Sequence, residues 1–108
     1  MSNRQFSRLA STTDNYESWH VAWLRFEQEF DKLLGYVGYP STGVGEWDFF
    51  VNGKDRATNT DVRFSGKTTD GTFYLRMRID GQAAVSFTGS SAEECWDLAH
   101  ADLQEQLS

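Results

Sequence analysis

Apolar residues recur at two different periods along this chain, and the switches between them divide it into a helix, a run of strands and a second helix. Tyr16, Trp19, Trp23, Phe26, Phe30 and Leu33 are spaced alternately by three and four, which puts them on one stripe of an α-helix. Asp14 and Glu17 form a D-x-x-E capping box for its start, and Gly35 follows Leu34 as its stop. The period then shortens to two. Trp47, Phe49 and Val51 alternate, then Thr58, Thr60, Val62 and Phe64, then Phe73, Leu75, Met77 and Ile79, then Ala83, Val85 and Phe87. Asn52-Gly53, Asp70-Gly71 and Asp80-Gly81 read as the turns between these strands. A three-residue bulged turn at Asp80-Gly81-Gln82 pairs Ile79 with Ala83 and keeps the apolar side chains of both strands on one face, whereas a two-residue turn would oppose them. The helical period returns with Ala92, Cys95, Trp96, Ala99, Leu103 and Leu107, opened by two S-x-x-E patterns, Ser90/Glu93 and Ser91/Glu94.

This pattern predicts an α+β fold of order α-β-β-β(-β)-α, an antiparallel meander with both helices packed on one face. Residues 14–108 form the single domain, and residues 1–13, with Arg4 and Arg8, read as a flexible arm. Residues 36–47, YVGYPSTGVGEW, hold the only proline and read as a long loop. The uncovered face of the sheet should carry Tyr74, Arg76, Arg78 and Arg63, with Asp48 and Phe50. Tyr36, Tyr39 and Trp47 fit either the end of the core or that face. The excess of aromatics on the first stripe also fits a homodimer seam.

Charge adds a second asymmetry. The 108 residues carry a net charge of −6, with a pI near 4.7. Residues 14–34 hold five acids against two bases, residues 46–80 six of each, and residues 90–108 five acids and no base. The helices are therefore negative and the sheet locally rich in arginine. An acidic helix surface formed by Glu93, Glu94, Asp97, Asp102 and Glu105, with Glu27 and Asp31 in support, is expected to dock on a basic protein partner. Direct nucleic-acid binding is not expected of so acidic a whole. The rival expectation uses Tyr74, Arg76, Arg78 and Arg63 to bind RNA, single-stranded DNA or a peptide.

The residue inventory suggests no catalyst, cofactor or metal. Cys95 falls on the buried stripe of the last helix, and His20 and His100 lie on different helices, each three residues from an acid (Glu17 and Asp97). SGKTTDG, residues 65–71, has Asp61 where a phosphate-binding loop needs its first glycine, and a strand follows it. No long apolar run suggests a membrane span, the start of the chain lacks the apolar stretch of a signal peptide, and a cytoplasmic location is the expectation.

Three resemblances follow from these residues. The helix–strands–helix order ending in GSSAEECWDLAHADL resembles the double-stranded-RNA-binding domain, with Ala92, Glu93 and Glu94 where that family carries phosphate-gripping lysines; the resemblance implies topology with reversed charge. VGYPST (37–42) with FTGSSAEECW (87–96) is similar to the paired FYR motifs of chromatin proteins, which implies a chromatin interaction module. Size and acidity resemble small phage or mobile-element inhibitors of the anti-CRISPR kind, which implies an inhibitor or nucleic-acid mimic with an acidic surface.

Overall fold

A computed structural model describes residues 4–107 in backbone and 15–107 in side chains. The order is α1 (Arg4–Leu34), β1 (Gly35–Val37), β2 (Phe49–Asp55), β3 (Thr60–Thr69), β4 (Thr72–Ile79), β5 (Val85–Gly89) and α2 (Ala92–Leu107). The strands form one antiparallel sheet in sequence order, β1 to β5, and both helices cover one of its faces. This is the expected α+β meander with one strand more than the pattern foretold. Helix α1 passes through Asp14 and Glu17, so that pair does not open it. Of the arm expected over residues 1–13, residues 1–3 and all the side chains lie outside the described residues.

The two turns read at Asp70-Gly71 and after Ile79 are present, and the one at Asn52-Gly53 is not. Asp70 and Gly71 have φ of 50° and 78°, the left-handed pair that a two-residue hairpin turn requires. Across β4 and β5, Met77 pairs with Val85 and Leu75 with Phe87, the expected alignment, although pairing stops short of Ala83. Asn52-Gly53 instead lies inside β2, opposite Arg63 and Val62. Gly53 is needed there for close approach: a Cβ would stand 2.7 Å from both Leu34 Cδ1 and the Tyr36 carbonyl oxygen. The chain turns later, where the Asp55 carboxylate accepts from the Ala57 N–H (3.1 Å) and the Thr58 hydroxyl (2.9 Å), so Thr58 belongs to the turn rather than to a strand.

The core lies between the helices and the sheet. Trp19, Trp23, Phe30 and Leu34 of α1 and Cys95, Trp96, Ala99 and Leu103 of α2 are fully or almost fully buried. They meet Phe49 and Val51 of β2, Val62 and Phe64 of β3, and Leu75 and Met77 of β4. Trp96 is the hub, with ring centroids of Trp23, Phe64, Phe30, Phe49 and Trp19 at 4.9, 5.4, 5.6, 5.8 and 6.1 Å. Edge and tilted aromatic pairs add about 0.5–1.5 kcal/mol each beyond the area they bury. The aromatic stripe is thus engaged within the single chain. Gly35 (φ 83°) ends α1 and leads directly into β1; Arg56 seals the junction, its N–H bonding the Leu34 carbonyl (2.8 Å) and its guanidinium the Gly35 carbonyl (2.5 Å). Ser91 caps α2, its Oγ accepting the Glu94 N–H at 3.1 Å.

Candidate binding face

Strand pleating delivers alternate side chains of β2, β3 and β4 to the face that no helix covers. Register then sets neighbours: Phe50, Ser65, Arg76 and Ser86 form one row, Asn52, Arg63 and Arg78 the next, and Lys67, Tyr74 and Thr88 a third. Lys54 and Asp61 face each other beyond the second row. All four residues of the sheet-face expectation, Arg63, Tyr74, Arg76 and Arg78, are brought together here. So are Lys54 and Lys67, which makes five of the chain's ten basic residues. Lys67 comes from SGKTTDG, which is strand β3 and the turn after it rather than a phosphate loop. The acids here are Asp61, between Lys54 (3.5 Å) and Arg63 (3.4 Å), Glu46, 3.1 Å from Lys67, and Asp48, turned onto the Thr68 N–H at 2.9 Å.

Segment 38–47 adds what the strands alone lack. Gly38 bonds to Asn52, and Ser41 exchanges two backbone bonds of 2.8 Å with Phe50, so the segment runs beside β2 before turning back through Val44–Trp47. The turn sets the Trp47 ring on the sheet face. The Arg76 guanidinium lies 4.6 Å from its centroid, and the Lys67 ammonium lies 5.1 Å from it and 5.6 Å from that of Tyr74. Such stacking is worth about 0.5–2 kcal/mol and orients a guanidinium while its N–H edges stay available. Among the described residues Arg76 and Arg78 make no ion pair, and Arg78 is exposed. A cavity of about 290 Å³ adjoins the stack, lined by residues 41–44, Trp47, Phe50, Ser65 and Arg76. Of the two placements that the sequence left open for Trp47, the end of the core or the sheet face, it takes the face; the turn that carries it there had only a glycine-rich stretch as its signal.

The seven acids of the expected docking surface are arranged less simply. Glu93 pairs with Arg25 of α1. Glu94 belongs to the cap of α2, accepting from the Ser90 N–H (2.8 Å) and hydroxyl (3.1 Å). Asp102 accepts from Gln106 at 2.7 Å, while Asp97 and Glu105 are exposed. Glu27 and Asp31 line a separate groove of about 510 Å³ with Gln28 and residues 36–39, and no residue of α2 borders it. Tyr36 and Tyr39 are 56% and 96% exposed, so neither closes the core.

Other chemistry is sparse. Cys95 is buried with its Sγ 3.4 Å from the Phe73 carbonyl, and burial, with the Glu94 carboxylate second, pushes its thiol up to about 11. That thiol is neutral near pH 7 and is no nucleophile there. His20 lies against Tyr16 and His100 against Phe30, at 5.5 and 5.3 Å between ring centroids. Among the described residues no helix is long and apolar enough to cross a membrane.

No family model, curated protein or solved structure matches the chain. The RNA-binding, FYR and inhibitor resemblances therefore rest on their sequence features alone.

Proposed function

We propose that this chain is a non-catalytic binding module that holds a single-stranded nucleic acid across the open face of its sheet. The observation that carries the reading is Arg76, stacked on Trp47 with no carboxylate partner among the described residues, beside Arg63, Lys67, Tyr74 and Arg78. Backbone phosphates need cations in a track, and unpaired bases need aromatic faces; base stacking contributes about 1–3 kcal/mol per base. The net charge of −6 does not oppose this locally. The outward acids of α1 and α2 lie on the other side of the sheet from the cationic rows, and the acids on the face itself, Asp61, Glu46 and Asp48, are each held by a cation or a backbone N–H.

Fluorescence anisotropy of short labelled RNA and DNA strands, single and duplex, tests it. Single strands should bind at low salt, with affinity falling as salt rises by a log–log slope of about −0.7 for each phosphate neutralised. Arg76→Gln with Arg78→Gln should weaken binding and flatten that slope by roughly one unit or more. Absence of binding at low salt, or an unchanged slope in the double variant, overturns the reading. Capture of an acidic peptide with no strand binding would assign the face to peptides.

A second reading has its own observation. Arg25 and Lys32 are each engaged by an acid of the helix layer, Glu93 and Glu29, while α2 has no Lys or Arg, and its exposed Asp97 makes no ion pair among the described residues. This supports an acidic surface that docks on a basic partner, as an inhibitor imitating nucleic acid would. Its test is a salt-graded pull-down with Asp97→Lys and Asp31→Lys; retention of the partner by that variant would remove it.

A further inference from the structure

The geometry points to a single-nucleotide subsite in the cavity beneath residues 41–47, with the base inserted against Phe50 and Trp47 and its phosphate held by Arg76 and Lys67. This rests on the reading of the sheet face as a strand-binding surface and names where one nucleotide of the strand is gripped.

The cavity is a product of register. Phe50, Ser65 and Arg76 stand side by side across β2, β3 and β4, so a small side chain separates a phenyl ring from a guanidinium. Ser65 is buried at 7% relative exposure, and its size leaves the depression open. The wall is the tethered turn, closed by the Trp47 N–H to the Val44 carbonyl (3.3 Å) and held to the sheet at Ser41 and Phe50. The result is a cavity of about 290 Å³ lined by Val44, Trp47 and Phe50 as its apolar residues and by Ser41, Thr42, Ser65 and Arg76 as its polar ones. Apolar walls with few convergent polar groups are what a planar heterocycle requires. Val44 stands at the rim 86% exposed, an aliphatic side chain left in water until something covers it.

The charged end completes the fit. Arg76 and Lys67 lie 4.6 and 5.1 Å from the centroid of the same indole ring, so both cations border Trp47, and the subsite assigns the phosphate to them. Glu46 holds Lys67 at 3.1 Å but is itself 65% exposed. It is a carboxylate that an incoming phosphate, with more charge and a second cation in reach, displaces.

The test titrates the full chain, followed by calorimetry and by the indole N–H resonances, with a nucleoside 5′-monophosphate, the same nucleoside and inorganic phosphate. The monophosphate should bind at least tenfold tighter than either part. Ser65→Leu fills the cavity and should reduce the monophosphate to the level of phosphate. Arg76→Gln should weaken it severalfold toward the level of the nucleoside, with Lys67 retaining the remainder, and Glu46→Gln should tighten it severalfold. A thermal melt of each variant checks folding, and the exposed Glu46 and half-buried Arg76 leave two arms outside the core. A monophosphate that binds no tighter than phosphate overturns the subsite, as does one indifferent to Ser65→Leu. If single strands bind wild type and Ser65→Leu alike but lose affinity in Arg78→Gln, the subsite falls and the strand-binding face stands. If the monophosphate binds as expected but strands bind no tighter than it does, the subsite stands and the strand reading falls.

Discussion

Replacing Gly66 by alanine should destabilise the protein although alanine is the better residue for a strand. Gly66 faces the core from β3, paired with Phe49 on one side and Leu75 on the other. A Cβ there would lie 2.7 and 2.8 Å from two carbons of the Trp19 indole, against about 3.5–4.0 Å for relaxed carbon contacts, so the ring would have to retreat by about 1 Å. It has nowhere to go. Trp19 is fully buried, edge-on to Phe73 at 5.5 Å and Trp96 at 6.1 Å, and its Nε1 donates to the Thr68 hydroxyl at 3.2 Å. Overpacking of this kind costs about 1–3 kcal/mol, while exchanging glycine for alanine in a strand returns about 0.5–1 kcal/mol. The expected net loss is about 0.5–2 kcal/mol, which for a domain near this size lowers Tm by roughly 3–10 °C. Urea unfolding followed by near-ultraviolet circular dichroism reads it, with an unchanged m-value. In a Trp19→Phe background the smaller ring should absorb much of the penalty, so the two substitutions should not add. A Gly66→Ala protein as stable as wild type, or strictly additive effects, would refute the steric account of how α1 seats on the sheet.

Ser91→Ala should cost about 1 kcal/mol by releasing the Glu94 N–H, and Ser90→Ala clearly less, because its hydroxyl only donates to a carboxylate already bonded to its own N–H; paired urea titrations compare them. Cys95 should resist thiol reagents in native protein and react promptly in denaturant, as mass spectrometry would record. Its thiol is raised from 9.0 to about 11 on folding, so the neutral form favours the native state fully below about pH 9 and that contribution is lost as pH rises toward 11; Cys95→Ala should show a shallower fall in stability across that window than wild type.

The helices and the β3–β4–β5 ladder were legible because each carries a sustained period, with Gly35 ending α1, Ser91 capping α2 and Asp70-Gly71 and Gly81 marking the turns. The failures have local physical causes. Asn52-Gly53 has the composition of a hairpin turn, yet its glycine serves a contact with Leu34, which lies far off in sequence. β1 is three residues long and exists only because β2 extends far enough to pair with it. The α1 boundary was drawn at a capping pattern that the helix overrides. For the site, alternation along β4 was enough to put Tyr74, Arg76 and Arg78 on one face. It could not reveal that a glycine-rich turn folds Trp47 onto them, because that placement depends on Ser41 pairing with Phe50. Nor could a charge count reveal that Glu93 and Glu94 are already engaged by Arg25 and Ser90.

The division of charge between the two layers makes the whole molecule a permanent electric dipole, and its overall sign is a poor guide to its behaviour at a boundary. An amine-coated support would capture it helices down and leave the sheet turned to solution. A sulfonate matrix would meet the sheet face first, and would release the protein at lower salt than the amine support, because the polypeptide as a whole is an acid. Any immobilised assay of this protein therefore chooses, through the chemistry of its support, which of the two faces remains free to report.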